Sequence, residues 1–498
     1  MKKLIASLVA ALALAASAEP QKVAVVRLAD ATGMTGAAGR ICTMIGNPMF
    51  VGYASQAISQ WELYTFFGTP RGGLPITLPV FADLDKLDSE TPEFAILFPI
   101  DGRESFLARF KDVQEKDGMQ YVEKDGNTLL RKVYLLFSDD GKWVAACDKP
   151  QFATMALGCV ADAKPLDGGV LSASVCGKFL GRLIDLASKE AEKKNGSQVL
   201  TEQYRRIIGG VEGLSIDVGV GDDGVTMRGA IKTSAGSDLA KVGQKRLGAD
   251  VFAQATSDAL SLEAYAEDAF GSPKREMIKV AMDFIASKGF KTDFLNAIQK
   301  TESFTCCIDL PALVKYIEGE GGETFSKLDP DACVAEWNKA TGAIDYKVEG
   351  PAYSASMAIK GFKPKFPLSQ RFAKTIPEVS GKPLCTLTVS SFYTFARAVA
   401  TQLADTQAGL AEFKPMLATL PEDGVGAIAS ACWREGDDLR YVARISSDEI
   451  RSVGTAANLA IGAVMAQAMS AMSACDDDDD DCDDDEDCDC EEDEDGED

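Results

Sequence analysis

The sequence predicts an α+β protein, in which repeated strand, helix, hairpin and helix modules form antiparallel sheets with the helices packed on one face. Three observations predict it. Strand-like runs pair around Asp/Gly turns, amphipathic helical stretches separate the hairpins, and one order of elements recurs. The interval from Gly213 to Gly243 matches that from Gly424 to Gly454 in pattern rather than in identity, which predicts an internal duplication.

The elements follow in order. Residues 94–100 (FAILFPI) read as a buried strand, with Asp101 placed to cap the helix of GRESFLARF. KVYLLFS and KWVAACD flank Asp139-Asp140-Gly141, whose glycine supplies the positive φ of a tight hairpin, and PQFATMAL closes the unit as a helix. The next unit runs from the strand VLSASV through the helices GKFLGRLIDLASKEAEKK and EQYRRIIGG. It continues into the hairpin LSIDVGV and VTMRGAIK around Asp222-Asp223-Gly224, then SDLAKVG. Near the C-terminus come LCTLTV, the helices SFYTFARAVATQLA and FKPMLATL, the strands VGAIASACW and DLRYVARI around Glu435-Gly436-Asp437, and DEIRSVG. Between these units the sequence predicts a strand in ADVFAQAT, helices in DALSLEAYAEDAF, PKREMIKVAMDFIAS and FLNAIQK, and strands in SFTCCIDL and YSASMAIKGF. From Ala31 to Glu90 no clear period emerges, and loops such as GTPRGGLPITLP intervene.

Two of these stretches, FAILFPIDGRESFLARF and GKWVAACDKPQFATMAL, together with the later modules, resemble uncharacterised exported bacterial proteins of a domain-of-unknown-function type. The resemblance spans most of the body and implies fold and compartment. It carries no active site to transfer.

The N-terminus points to the same compartment. Lys2 and Lys3, the apolar run from Leu4 to Ala15 and Ala16-Ser17-Ala18 before Glu19 are the parts of a secretory signal peptide, so residues 1–18 are expected to be removed. About twelve apolar residues are too few for the roughly 20 that span a bilayer. The remainder divides into an N-terminal half (19–247), a C-terminal half (248–474) ending in a long Ala/Met-rich helix, and a tail (475–498). The mature protein is expected in the periplasm or outside the cell.

The formal charge of −25 is concentrated in that tail, where residues 475–498 hold 19 Asp and Glu; without them the chain carries −6. No basic surplus exists to neutralise phosphates, so nucleic acid is excluded as a partner. The tail has no apolar residue other than Cys and is expected to be disordered. Asp476, Asp477, Asp478, Asp483, Asp484, Asp485 and Glu486 are its candidate ligands for loosely bound calcium, for which oxygen donors are the right type. Cys475, Cys482, Cys488 and Cys490 add softer donors, but the surrounding carboxylates disfavour their thiolates. Nine cysteines lie in the body: Cys42, Cys147, Cys159, Cys176, Cys306, Cys307, Cys333, Cys385 and Cys432. Some of them are expected to be small buried apolar residues, and spacing leaves their connectivity open.

The chain has no His, which removes the Ser-His-Asp triad, the Cys-His pair and every His-ligated metal or haem. Gly219-Val220-Gly221-Asp222-Asp223-Gly224 spells GxGxxG, but the following VTMRGAIK alternates with period two, so the motif reads as a hairpin turn and no dinucleotide cofactor is expected. Carboxylate pairs are too numerous to single out, and Ser174 beside Lys178 is at background level. Trp143 and Trp433 fall in predicted strands and are read as sheet or core residues. Residues 452–474 are uncharged but rich in Ala, Gly, Ser and Thr. Their apolar stripe of Ile461, Met465, Ala468, Met469 and Met472 predicts a helix packed on the last sheet in preference to a membrane association.

Together these readings predict a non-catalytic exported binding or structural protein with an envelope or extracellular partner. The alternative is a His-free hydrolase, using carboxylates or a Ser-Lys dyad in a cleft between the halves. A deep pocket in which titratable groups converge separates the two.

Overall fold

A computed structural model describes residues 20–116, 118–123, 132–193, 208–266, 283, 286–287, 289–291, 303–312, 344–348, 353–406, 411 and 413–476. It combines helices with a large, mostly antiparallel sheet. The strands are β1 (Gln21–Leu28), β2 (Ile76–Ala82), β3 (Glu93–Phe94), β4 (Ile96–Pro99), β5 (Val113–Lys116), β6 (Met119–Glu123), β7 (Lys132–Phe137), β8 (Trp143–Cys147) and β9 (Gly169–Cys176). There follow β10 (Val211–Gly221), β11 (Gly224–Thr233), β12 (Ala259–Tyr265), β13 (Ser303–Ile308), β14 (Ile344–Val348), β15 (Tyr353–Ile359), β16 (Leu384–Ser390), β17 (Ile428–Glu435) and β18 (Asp438–Ser446).

Pairing runs β14-β13-β15-β12-β16-β17-β18-β11-β10-β9-β1-β2-β4-β8-β7-β6-β5, with β3 also on β2. Only β13–β15 is parallel among these pairs. Two of the three predicted hairpins, β10–β11 and β17–β18, therefore lie side by side, joined where Gly229 faces Tyr441 across β11–β18. Each is preceded by a strand and a helix, and each is followed by a helix.

Local chemistry accounts for the helix boundaries. The first helix, α1 (Ala31–Ile45), lies in the stretch where the sequence shows no clear period. Asp30 caps it by accepting from Gly33 N–H at 2.7 Å, and Gly46 at φ +77° ends it in the left-handed conformation that suits glycine. α2 (Met49–Ser59) and α3 (Glu62–Phe67) follow. The helix expected after Asp101 is α4 (Arg103–Leu107), but its N-cap is Gly102 and no side chain caps it, so the expected role of Asp101 is corrected. α5 (Pro150–Leu157) and α6 (Gly177–Lys193) form as predicted, and α7 (Asp238–Lys241) is capped by the Ser237 hydroxyl. α8 (Leu368–Thr375) packs Leu368, Phe372 and Ile376 on Leu387, Val389, Ala429, Ala431 and Val442. α9 (Phe392–Thr406), α10 (Lys414–Thr419) and α11 (Ser447–Asp476) complete the described elements.

Two readings between the modules are reversed by the structure. The stretch ADVFAQAT, expected as a strand, makes a 3-10 turn at Val251–Gln254. DALSLEAYAEDAF, expected as a helix, supplies β12, whose Ala259, Leu260, Leu262 and Ala264 are buried. Its Ala, Leu and Glu favour helix, yet pairing with β15 and β16 on both edges outweighs a preference of a few tenths of a kcal/mol per residue. The predicted helices 202–210, 273–287 and 294–300 fall almost wholly outside the described residues.

Residues 452–474 do form a helix, within α11. Its early turns rest on α1: Gly454 sits against Ile45, and Asn458 Nδ2 donates to Ile45 O at 3.1 Å. Ile461 and Met465 are 56% and 63% exposed. No helix among the described residues is long and apolar enough to cross a membrane.

Candidate functional site

Strand register builds the site. Directly opposed residues of an antiparallel ladder share a face, and positions two apart along a strand return to it. Val25, Ser174, Ser215, Ala230 and Arg440 therefore form one row across β1, β9, β10, β11 and β18. Cys176, Gly213, Lys232 and Asp438 form the next row on the same face, and Arg27, Ser172, Asp217, Arg228 and Val442 the row on the other side. A further step brings Gly169, Gly219, Thr226 and Arg444 together.

This face carries glycine, alanine, hydroxyls and charges beside Val25 and Cys176, whereas the same face at β16 and β17 is apolar and covered by α8. Small side chains leave space. An open groove of about 430 Å³ lies over Lys22, Ser174, Cys176, Ser215, Ala230, Lys232, Asp438 and Arg440. A polar cleft of about 170 Å³ continues it over Asp167, Asp217, Gly219, Asp223, Thr226, Arg228 and Arg444. Glycines at and beside the cleft stand in close contact with backbone. A Cβ on Gly169 would come within 3.2 Å of Val218 O, and one on Gly224, at φ +128°, within 2.0 Å of Ile445 O.

The walls are pinned by long-range bonds. On one side Lys22 Nζ meets Asp162 Oδ2 at 2.6 Å, a hydrogen bond that raises the Lys22 pKa, and Arg27 donates to Lys164 O and to Ser172 Oγ. On the other side Arg444, with 6% of its side chain exposed, reaches Glu378 at 2.8 Å and Asp223 at 2.9 Å. Its Nε donates to Thr226 Oγ1 and its Nη1 to Thr375 O. Arg228 Nη2 shares Glu378 at 3.1 Å. Beside the groove's row on β18, in β17, Trp433 carries Lys382 Nζ 3.9 Å above its ring, a cation on an aromatic face.

Charged groups of both signs thus converge, but on an open surface. Asp223 is held by Arg444, Asp438 by Arg440 at 3.0 Å and Lys232 by Glu212 at 3.1 Å. Such an arrangement presents hydrogen-bond donors and acceptors along an extended track.

The sequence-predicted candidates fall elsewhere. Asp476 is the last residue of α11, while Asp477, Asp478, Asp483, Asp484, Asp485 and Glu486 lie outside the described residues. No cluster of three metal-type side chains occurs among the described residues. The GxGxxG stretch is a hairpin turn, as the alternation of VTMRGAIK predicts, and its Gly219 and Gly221 line the polar cleft. Ser174 lines the groove, whereas Lys178, at the start of α6, is exposed and is not among the lining residues. Trp143 and Trp433 sit in β8 and β17 as read. The groove itself was missed by sequence reasoning. Its one local signal was the alternation in VLSASV, which puts Ser172 and Ser174 on one face and Leu171, Ala173 and Val175 on the other.

A scan against protein-family models, a search of curated proteins and a search of solved structures each find no match for this chain.

Proposed function

We propose that this protein is exported and acts as a non-catalytic binding protein that takes an extended polar ligand of the cell envelope or extracellular space along the groove over β9, β10, β11 and β18. One observation carries the reading: the central strands turn a face of small, hydroxyl and charged side chains to an uncovered groove, while the flanking part of that face is apolar and closed by α8. A ligand that covers these groups leaves them costly unless it matches their hydrogen bonds, so a surface of this kind suits a ligand with donors and acceptors of its own.

The rival reading, a His-free hydrolase, draws on the convergence of Asp217 and Asp223 in the cleft. Against it, the groove is open and its lining acids Asp223 and Asp438 are held by arginine. Capture from a native envelope extract separates the two. The wild-type protein retains a ligand and Ser215→Trp, which fills the groove, loses it; equal capture by both proteins overturns the binding site. Turnover of the captured material, abolished in Asp217→Asn, establishes the hydrolase instead.

The order of elements also supports reading the two halves as copies of one module. β9, α6 and the β10–β11 hairpin correspond to β16, α9 and the β17–β18 hairpin, and each set pairs outward with an earlier strand, β1 or β12. The acidic tail is proposed to bind calcium weakly, on the order of 10⁻⁴ to 10⁻³ M, as flexible extracellular oxygen sites do. Calorimetry on the mature protein and on a version ending at Ala474 tests this, and equal binding by the two removes the tail from the account.

A further inference from the structure

We propose that Cys385 and Cys432 are a built disulfide site, and that a disulfide-class oxidant closes them into an intramolecular cross-link between β16 and β17. The geometry comes from a β-bulge. Leu384 pairs with Trp433 and Thr386 with Cys432, so Cys385 is the extra residue of β16 at the point where it meets Cys432. At such a bulge two residues oppose one, and the inserted residue is turned toward the face of its partner. Leu384 joins the cluster around Trp433 on one face, whereas Cys385 and Cys432 share the opposite cluster with Leu239, Val242, Ala266 and Leu439.

The contact is direct. Cys385 Sγ donates to Cys432 O at 3.3 Å, and the two thiols lie within hydrogen-bonding reach of each other. Adjacent-strand positions bring Cα atoms within the 4.4 to 6.8 Å, roughly, that disulfides require, so closure needs side-chain rotation rather than movement of a segment. Arg434, two residues along β17, fixes the cover over the pair: its Nε donates to Val242 O at 2.7 Å and its Nη2 to Leu239 O at 2.9 Å. Gly243 closes the cover so tightly that a Cβ there would stand 3.4 Å from Cys385 Sγ.

Exposure sets the order of events. Cys432 is partly exposed and Cys385 fully buried. The Cys385 thiol and burial raise the Cys432 pKa, so it reacts through its minor thiolate form, which attacks one sulfur of the oxidant disulfide and expels the first thiolate, giving a mixed disulfide. Cys385 then loses its proton, attacks the Cys432 sulfur and expels the second. One S–S bond forms in the protein and one is lost from the oxidant, which leaves as two thiols carrying the two electrons and two protons.

The test does not depend on the groove. The reduced mature protein is equilibrated natively with glutathione disulfide, its remaining thiols are alkylated, and it is digested with trypsin. Peptides 375–397 and 398–434 hold one cysteine each. The expected product is these two peptides joined, separable by dithiothreitol, and dominant over every other pairing; Cys432→Ser abolishes it. Recovery of both peptides alkylated, or of either joined chiefly to a third cysteine, overturns the proposal without touching the binding reading.

Discussion

Arg371 Nη2 and Asp423 Oδ1 meet at 2.6 Å in a place where 1% and 10% of their side chains are exposed. The same guanidinium donates to Gly424 O, Gly426 O and Phe366 O, and Asp423 also accepts from Thr394 Oγ1 at 2.5 Å. One arginine thereby ties α8 to the loop that leads into β17.

Asp423→Ala removes the paired carboxylate and leaves the buried guanidinium with carbonyls as its hydrogen-bond acceptors. Losing one partner of a buried pair costs about 3–5 kcal/mol, and the expected loss is near the lower end because the carbonyls remain. Chemical denaturation of the variant and the parent measures it. A change below about 1 kcal/mol means the pair is not what fixes this loop.

The carboxylate of Glu449 accepts from Tyr393 N–H at 2.7 Å and from Ser391 Oγ at 3.1 Å, yet burial raises its pKa above the ordinary 4.5. An acid whose folded pKa is raised binds more protons folded than unfolded. Its contribution is therefore fully present below about pH 4.5 and declines as pH rises through the folded value. Glu449→Gln should flatten that decline. Unfolding free energies measured at intervals from pH 4 to pH 7 decide it, and identical slopes in the two proteins refute it.

Gly454 and Gly462 occupy the same helix with opposite surroundings. A Cβ at Gly454 would fall 2.6 Å from both Cα and O of Ile45, while one at Gly462 would meet nothing within 4 Å. Gly454→Ala should cost about 1–3 kcal/mol by overpacking, and Gly462→Ala should stabilise by roughly 0.5–1 kcal/mol through the helix preference of alanine. Thermal unfolding of both variants measures the contrast; a shift of the same sign in each would refute it.

Cys147 lies in β8 with 2% of its surface exposed, and burial pushes its thiol up to about 11. At pH 8 roughly one molecule in a thousand carries the thiolate, the species that reacts. Alkylation of Cys147 in the native protein should then run at least about 100-fold slower than that of a small free thiol. Timed alkylation with peptide mapping reads this directly, and rapid labelling counts against the packing of β8 on α5.

Much of the sheet was legible because its hairpins are local. Asp139-Asp140-Gly141, Asp222-Asp223-Gly224 and Glu435-Gly436-Asp437 announce turns, and the runs on either side alternate. β12 was not legible: ALSLEAY carries helix-forming residues, and the partners that make it a strand, Tyr353–Ile359 and Leu384–Ser390, come about a hundred residues later. α1 was hidden by its six Gly and Ala, which stand where larger apolar residues would mark a stripe. The groove was illegible for a related reason. Ser174, Ser215, Ala230 and Arg440 share a row only through three successive pairings, the last of which joins β11 to β18.

That last pairing bears on how the chain is made. Gly229 must find Tyr441 after some two hundred intervening residues have been synthesised, and closing so long a loop costs entropy before its contacts repay it. The β10–β11 hairpin can form at once, but until the C-terminal hairpin arrives β11 is an unpaired edge of ten residues, Gly224–Thr233, with Val225, Met227 and Ile231 along it. A chain cut short before Asp438 would retain that edge permanently, so truncated products are expected to associate through β11, whereas a chain that extends through β18 covers it.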